Sequence, residues 1–438
     1  MNRELDATAV PAAAVPAAAG PDDAVRRTST VTIALLMGVY VIDYIDRVMI
    51  GVALPFLGGD LGIDKTQQGL VVSAFAIAYM VFQVPGGLLA DRFGARPLLV
   101  VSLVAWSVFT AATGFVGGLV ALLAVRALFG VAQALFPGAS FKALAERTTP
   151  QTRNRSAGLM LASNFLGAGI APLLVAPIIV AIGWRHAFWV VALGGVVVGL
   201  LMWLCLPRPL PREVTELDGA GPDRATAAAA AQAGPGQVLR SGIVWRYAAL
   251  FACFNMLNYG MITWVPSYLY EARGLSLVAA GLSSAVPLLI TAVSAVVGGW
   301  LMSRWFDDRA RLLVVPVLAV SAVLLVLMLM AESVTAFTVY QSLAMAFSGL
   351  ATMGILGMPI RALPREMIGS GMGLVNTGGQ LAGVLAPLVM GWLAEEFDFG
   401  AAFAFLVAST VAAALLALFT SSRPADLRLG APTAEVAP

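Results

Sequence analysis

The stretch Gly86-Gly87-Leu88-Leu89-Ala90-Asp91-Arg92-Phe93-Gly94-Ala95-Arg96 joins two apolar runs, near 66–90 and 97–117. Each run is long enough to cross about 30 Å of hydrocarbon as a helix, so the charges between them mark a short turn at a membrane surface. Arginines in such a turn follow from the preference of basic residues for the cytoplasmic face. The aspartate and the paired glycines do not follow from it, and are compatible with a gate. Asp91 can accept from free N–H groups at a neighbouring helix start, while Arg92 and Arg96 can pair with Glu146 or with lipid phosphates. Asp91, Arg92, Arg96 and Glu146 are therefore the expected gate residues.

Outward from this turn, apolar runs recur near 31–57, 119–145, 156–182, 187–206, 243–270, 279–303, 311–331, 335–361, 370–394 and 399–421. They are continuous rather than alternating, which favours helices over strands. The expectation is an all-α membrane protein with twelve transmembrane helices. With 60% hydrophobic and 11% charged residues, against about 25% charged in soluble domains, lipid must solvate most of the chain. The net charge is +2 and the basic residues are scattered, so no nucleic-acid partner is expected. His186 is the single histidine, and Cys205 and Cys253 sit in separate apolar runs. No metal site, cofactor or disulfide framework is expected from them. No nucleophile–base set or phosphate-binding loop is found, so an enzyme is not expected.

With the N-terminus placed inside, 21 of the 26 Lys and Arg residues fall on inside segments and three, Lys65, Arg185 and Arg273, outside. Arg47 and Arg126 lie within spans. This bias places both termini in the cytoplasm, in a multi-pass inner-membrane protein without the layout of a cleavable signal peptide. The Pro-, Ala- and Gly-rich stretch Pro207–Ser241 divides the chain into six spans plus six. The expected units are a disordered N-terminus (1–30), a six-helix bundle (31–206), a cytoplasmic linker (207–242), a second six-helix bundle (243–421) and a disordered tail (422–438). Pro55 and Pro266, Gly86-Gly87 and Gly298-Gly299, Asn164 and Asn376, and Pro172 and Pro387 recur at offsets of 211 to 215 residues. Such parallel repeats place a substrate site between the halves near the bilayer midplane. Ser303 stands where the second half would repeat Asp91, so the inner gate is expected to be latched from the first half. A monomer is expected.

A charge at mid-membrane costs about 2.5–3.5 kcal/mol on insertion scales, so those retained there are functional candidates. Here they are Asp43, Asp46 and Arg47 in the first span and Arg126 in the fourth. The first three stand at i, i+3 and i+4 and share a helix face, flanked by Tyr40 and Tyr44. One reading is structural: Asp46 with Arg126, or Asp43 with Arg47, ties helices together. The other is transport. A protonated Asp releases its Arg to grip a carboxylate bidentately, and the proton offsets the roughly 2.3 kcal/mol per charge that 100 mV sets against an anion.

The Gly87–Arg96 turn resembles the loop motif of the major facilitator superfamily. Asp43-Tyr44-Ile45-Asp46-Arg47, the run from Arg126 through Gln133 to Pro137, Gly183-Trp184-Arg185, and Asn258-Tyr259-Gly260 with Trp264-Val265-Pro266 are similar to its anion:cation symporter branch. That branch includes bacterial sugar-acid permeases, and vesicular glutamate transporters and sialin are similar to it. The resemblance implies two pseudo-symmetric six-helix bundles and proton-coupled symport of an organic anion, such as a hexuronate or aldonate, by alternating access. It implies that Arg47 binds the carboxylate, Asp46 takes the proton and Arg126 tunes both. Tyr44, Tyr79, Asn164, Asn376 and Thr377 would hydrogen-bond the substrate. The chain departs from the branch at Gln133, where a glutamate is usual, and at Asp43, where asparagine is common. Asp43 is accordingly a second candidate proton site and Gln133 a substrate contact. Asn258 and Tyr259 are polar in a lipid-spanning run and serve either the cavity or interhelical hydrogen bonding. The alternatives are a monocarboxylate or aromatic-acid facilitator or exchanger without proton coupling, and a drug exporter, against which Arg47 speaks.

Overall fold

A computed structural model describes residues 21–215, 241–306, 309–363 and 368–420. Among them run α1 (Pro21–Leu61), α2 (Lys65–Phe93), α3 (Ala95–Thr113), α4 (Leu119–Ala134), α5 (Phe136–Ala145), α6 (Pro150–Ile182), α7 (Trp184–Cys205) and the short α8 (Arg212–Thr215). The second half holds α9 (Gly242–Ser267) with a π turn (Tyr268–Ala272), α10 (Leu277–Trp305), α11 (Ala310–Leu329), α12 (Val334–Ala362), α13 (Ile368–Glu396) and α14 (Phe399–Phe419). Eleven crossings, with α4 and α5 forming one, are long and apolar enough to span a membrane. The twelfth is α1, 41 residues long, with Asp43, Asp46 and Arg47 in its middle. This is an all-helical membrane fold.

Three boundaries differ from expectation. α1 begins at Pro21, upstream of the span expected from 31. Its first turns are tied down by Ser29, whose hydroxyl donates to the Arg147 carbonyl at 2.9 Å. The fourth span is broken at Leu135, because Pro137 lacks an N–H and its ring collides with the carbonyl of residue 133. Of the expected linker, α8 is described and receives a 2.8 Å hydrogen bond from Arg153 at the Thr215 carbonyl. Residues 216–240, together with 1–20 and 421–438, lie outside the described residues. Gly94 (φ 87°) and Gly183 (φ 82°) each close an interhelical turn in a single residue, a conformation that costs little only for glycine.

The packing repeats. α1 lies on α6, α2 on α4 and α3 on α7; correspondingly α9 lies on α13, α10 on α12 and α11 on α14. Gly86 meets the Ala134–Leu135 backbone, and Gly298, 212 residues later, meets the backbone of Leu350. The recurring glycines therefore sit at equivalent helix crossings, where a Cβ would strike main chain. Between the halves α2 packs on α13, α6 on α10 and α1 on α9. Gly69 lies against the Pro387 carbonyl and Gly281 against that of Pro172, a two-fold-like exchange that places the recurring prolines on the inter-half seam.

The seam is closed at one face only. Where α2 begins, the Lys65 N–H donates to the Glu395 carboxylate at 2.9 Å, the Lys65 ammonium pairs with Glu271, and the Ser73 hydroxyl donates to the Val384 carbonyl at 2.6 Å. Three helical turns further along that side of α2, Val84 is 72% exposed. Three turns back from Val384 on α13, Gly373 is exposed, as are Asn376 and Thr377. The halves part toward the face that carries Arg92 and Arg147, leaving a cleft between them.

Candidate functional site

The cleft ends at the charged turn of α1. Arg47 pairs with Asp43, Nε to Oδ2 at 3.1 Å and Nη2 to Oδ1 at 3.4 Å. Its guanidinium lies 4.4 Å from the ring centre of Tyr79, 5.3 Å from Tyr44 and 5.4 Å from Phe75, a cage of π faces that favours a cation. The Arg47 side chain is 14% exposed and that of Asp43 1%, so the cation stands at the cleft wall with its counter-ion behind it.

Asp46 points elsewhere. Helical residues four apart stack on one face, whereas adjacent residues diverge by about 100°, so Asp46 turns from Arg47 toward α3. There Oδ1 accepts from the Thr110 hydroxyl at 3.1 Å, while Oδ2 is buried without a partner. Arg126 is also buried. Its guanidinium lies over Phe129 (4.7 Å) and Phe75 (5.2 Å), and Nε and Nη2 have no partner. Among the described residues no carboxylate forms an ion pair with it. Of the two structural pairings considered from sequence, Asp43–Arg47 forms and Asp46–Arg126 does not. The acid that holds Arg47 is Asp43, and both cations lie against the Phe75 ring.

Around this cluster lie further polar groups. Gln133 sits two turns from Arg126 on α4, fully buried, with neither amide atom partnered. Asn164 on α6 is half-buried with an unpartnered Oδ1. From the second half, Tyr259 lies within electrostatic reach of Arg47, Tyr79 and Asp43, and its hydroxyl donates to Gln380 Oε1 at 3.4 Å. Asn258 beside it is half-buried. Asn376 and Thr377 are exposed, and the Thr377 hydroxyl returns to the Gly373 carbonyl at 3.0 Å. Among the described residues no contact joins those two to the Arg47 cluster. Thr110, Phe75, Phe129 and Gln380 went unread in the sequence. Thr110 and Gln380 carried the usual signal of a polar residue in an apolar run, whereas the two phenylalanines carried none.

The expected gate residues gather on the open face with partners other than those expected. Asp91 pairs with Lys142 at 3.5 Å, and Lys142 also donates to the Ala90 and Asp91 carbonyls. Arg96 donates to the Trp203 carbonyl and lies over that residue's ring, and Arg92 lies over Phe93. Glu146 pairs with Arg147 at 2.8 Å rather than with Arg92 or Arg96. The reason is burial. Arg147 is 2% exposed, desolvation pulls its pKa below the usual guanidinium value, and the adjacent Glu146 carboxylate opposes that shift.

The family model described as Major Facilitator Superfamily matches residues 36–387, with a second match over 308–436. The chain belongs to the Major Facilitator Superfamily. It is thus a transporter and not an enzyme. This superfamily member is 31% identical over 391 residues to a probable sulfoacetate transporter of Cupriavidus necator (strain ATCC 17699), covering 84% of this chain and 88% of that one. It is 27% identical over 399 residues to a hexuronate transporter of Bacillus subtilis (strain 168), covering 88% and 92%. It is also 27% identical over 412 residues to a D-galactonate transporter of Escherichia coli O6:H1, covering 89% and 94%. Among solved structures, a bacterial homolog of the human lysosomal transporter Spinster, inward-facing and unoccupied, superposes with a TM-score of 0.75 at 17% identity, covering 90% and 96%. A D-xylose-proton symporter superposes at 0.72 and 15% identity, covering 90% and 97%. At those identities the likeness establishes the fold.

Proposed function

We propose that this superfamily transporter carries organic anions, sugar acids such as hexuronate or aldonate foremost, by proton-coupled symport across the cell inner membrane, with both termini cytoplasmic. The observation that carries the reading is Arg47, a cation set in the cleft wall among three aromatic rings and held by a single carboxylate one helical turn away. An incoming carboxylate offers Arg47 the same two oxygens that Asp43 offers. Protonation of Asp43 removes the competitor, so proton and anion bind together. Asp46 is the second proton site, balanced against the unpaired Arg126, with Thr110 fixing one carboxylate oxygen. Tyr44, Tyr79, Asn164, Tyr259, Asn258 and the amide of Gln133 offer hydrogen bonds to hydroxyls of the substrate. The names of the sulfoacetate, hexuronate and galactonate relatives support an anionic cargo.

Alternating access follows from the seam. Breaking the Lys65–Glu271 and Lys65–Glu395 contacts on one face, while closing the Val84 and Gly373 faces on the other, would expose Arg47 to the opposite side. Asp91, Arg92, Arg96 and Glu146 would then meet the second half as it closes.

The test begins with a thermal-shift panel of carboxylates and sulfonates on the purified protein, since a ligand of the native state raises its stability. Uptake of the best ligand into proteoliposomes is then driven by an imposed pH gradient. Accumulation that collapses with an uncoupler is expected. Exchange without accumulation would replace symport with a facilitator in which Asp43 stays paired, and a panel without an anionic ligand would overturn the substrate class.

A further inference from the structure

Away from the cleft, a cavity of about 400 Å³ lies between the first turns of α1 and α6. Its apolar wall includes Ile33 and Leu159, and its cations are Arg26 and Arg155. Both arginines are exposed, and among the described residues neither enters an ion pair. The hydroxyls lining the cavity are already spent as donors. Ser29 donates to the Arg147 carbonyl, Thr30 to the Arg26 carbonyl, Thr152 to the Thr149 carbonyl, Thr149 to the Thr152 hydroxyl and Ser156 to the Thr152 carbonyl. The two guanidiniums are therefore its free donors. The start of the 33-residue α6 adds positive potential, since the Thr149 side chain does not cap it. Of the nearby acids whose side chains are described, Glu146 is held by Arg147, and Asp23, exposed one turn before Arg26, opposes the cations.

Position matters as much as charge. The cavity spans the level at which α1 passes from Arg26-Arg27-Thr28-Ser29-Thr30 into its apolar run, which is the boundary between headgroups and hydrocarbon. A free phosphate ion would use the arginines but gain nothing from Ile33 and Leu159. A molecule with a phosphate at one end and methylenes at the other would use both. We propose that this cavity binds the phosphate of an anionic membrane lipid, with Arg26 and Arg155 on the phosphate oxygens and Ile33 and Leu159 against the start of an acyl chain. Such a lipid would clamp α1 to α6, the helices that carry Arg47 and Asn164, without entering the substrate site.

The experiment uses the full chain purified in neutral detergent, with melting temperature read after adding phosphatidylglycerol, phosphatidylcholine or inorganic phosphate. At saturating phosphatidylglycerol the melting temperature should rise by about 4 °C. Phosphatidylcholine, whose choline offsets its phosphate, should give less than half of that, and inorganic phosphate almost none. Arg26→Gln with Arg155→Gln should erase the phosphatidylglycerol shift while leaving substrate-induced stabilisation intact. Each single variant should reduce it, which keeps the test decisive if the double variant folds poorly. Arg304→Gln, which removes an exposed cation elsewhere, should retain the full shift. An equal loss in Arg304→Gln would mean diffuse attraction and overturn the site. Equal shifts from both lipids, or the whole shift from inorganic phosphate, would overturn the assignment to an anionic lipid.

Discussion

Replacing Asp43 by asparagine should tighten carboxylate binding rather than weaken it. In the resting cleft the Arg47 guanidinium is engaged by Asp43 at 3.1 Å, and a bound carboxylate must displace that contact or share it. Hydrogen bonds to charged groups are worth about 1.5–3 kcal/mol net. The low exposure of both side chains, 14% and 1%, keeps solvent screening from erasing that value. At about 1.4 kcal/mol per decade, release from this competition should lower the dissociation constant of a sugar acid roughly 10- to 150-fold. Asparagine keeps the shape and an acceptor oxygen, so Arg47 stays in its aromatic cage. Titration calorimetry across a pH series measures the effect. The variant should lose the pH dependence that Asp43 contributes, and proteoliposomes should retain exchange but accumulate less substrate at a given pH gradient, with only the Asp46 proton left to drive uptake. If Asp43→Asn binds the anion no more tightly than the parent at any pH, Asp43 does not compete for Arg47 and the coupling scheme fails.

Other outcomes follow from the same contacts. Arg47→Gln should lose carboxylate binding and also melt at lower temperature, because it strands the buried Asp43 at a cost of about 3–5 kcal/mol. Adding Asp43→Asn should restore the melting temperature but not the binding, and recovery of both would remove Arg47 from the site. Gly298→Ala should lower stability by about 1–3 kcal/mol, since its Cβ strikes the Leu350 backbone. Gly299→Ala meets only the Met353 side chain and should be near neutral; equal melting temperatures would refute the crossing. Lys65→Ala should loosen the closed face by up to about 1 kcal/mol, roughly fivefold in population. Maleimide labelling of Val84→Cys, in a Cys205→Ser, Cys253→Ser background, should slow as that face closes, and unchanged labelling would show that the pair is not a latch.

The sequence alone determined the fold. Twelve continuous apolar runs in a chain with 11% charged residues leave helices in lipid as the only arrangement that satisfies the backbone. The glycine and proline recurrences set which helices cross closely, because a crossing without room for a Cβ is recorded as glycine. The sequence also marked Asp43, Asp46, Arg47 and Arg126, since lipid penalises a charge wherever the helix turns. Partnership was another matter. Spacing allowed both Asp43 with Arg47 and Asp46 with Arg126, and only the assembled bundle decided that the first pair forms while Asp46 meets Thr110 on α3. Arg147 likewise claimed Glu146 once packing buried it, leaving Arg96 to Trp203. Which pairs form depends on side-chain direction and on how much water each group has lost. Both are properties of the assembled bundle, fixed by helices that lie far apart along the chain.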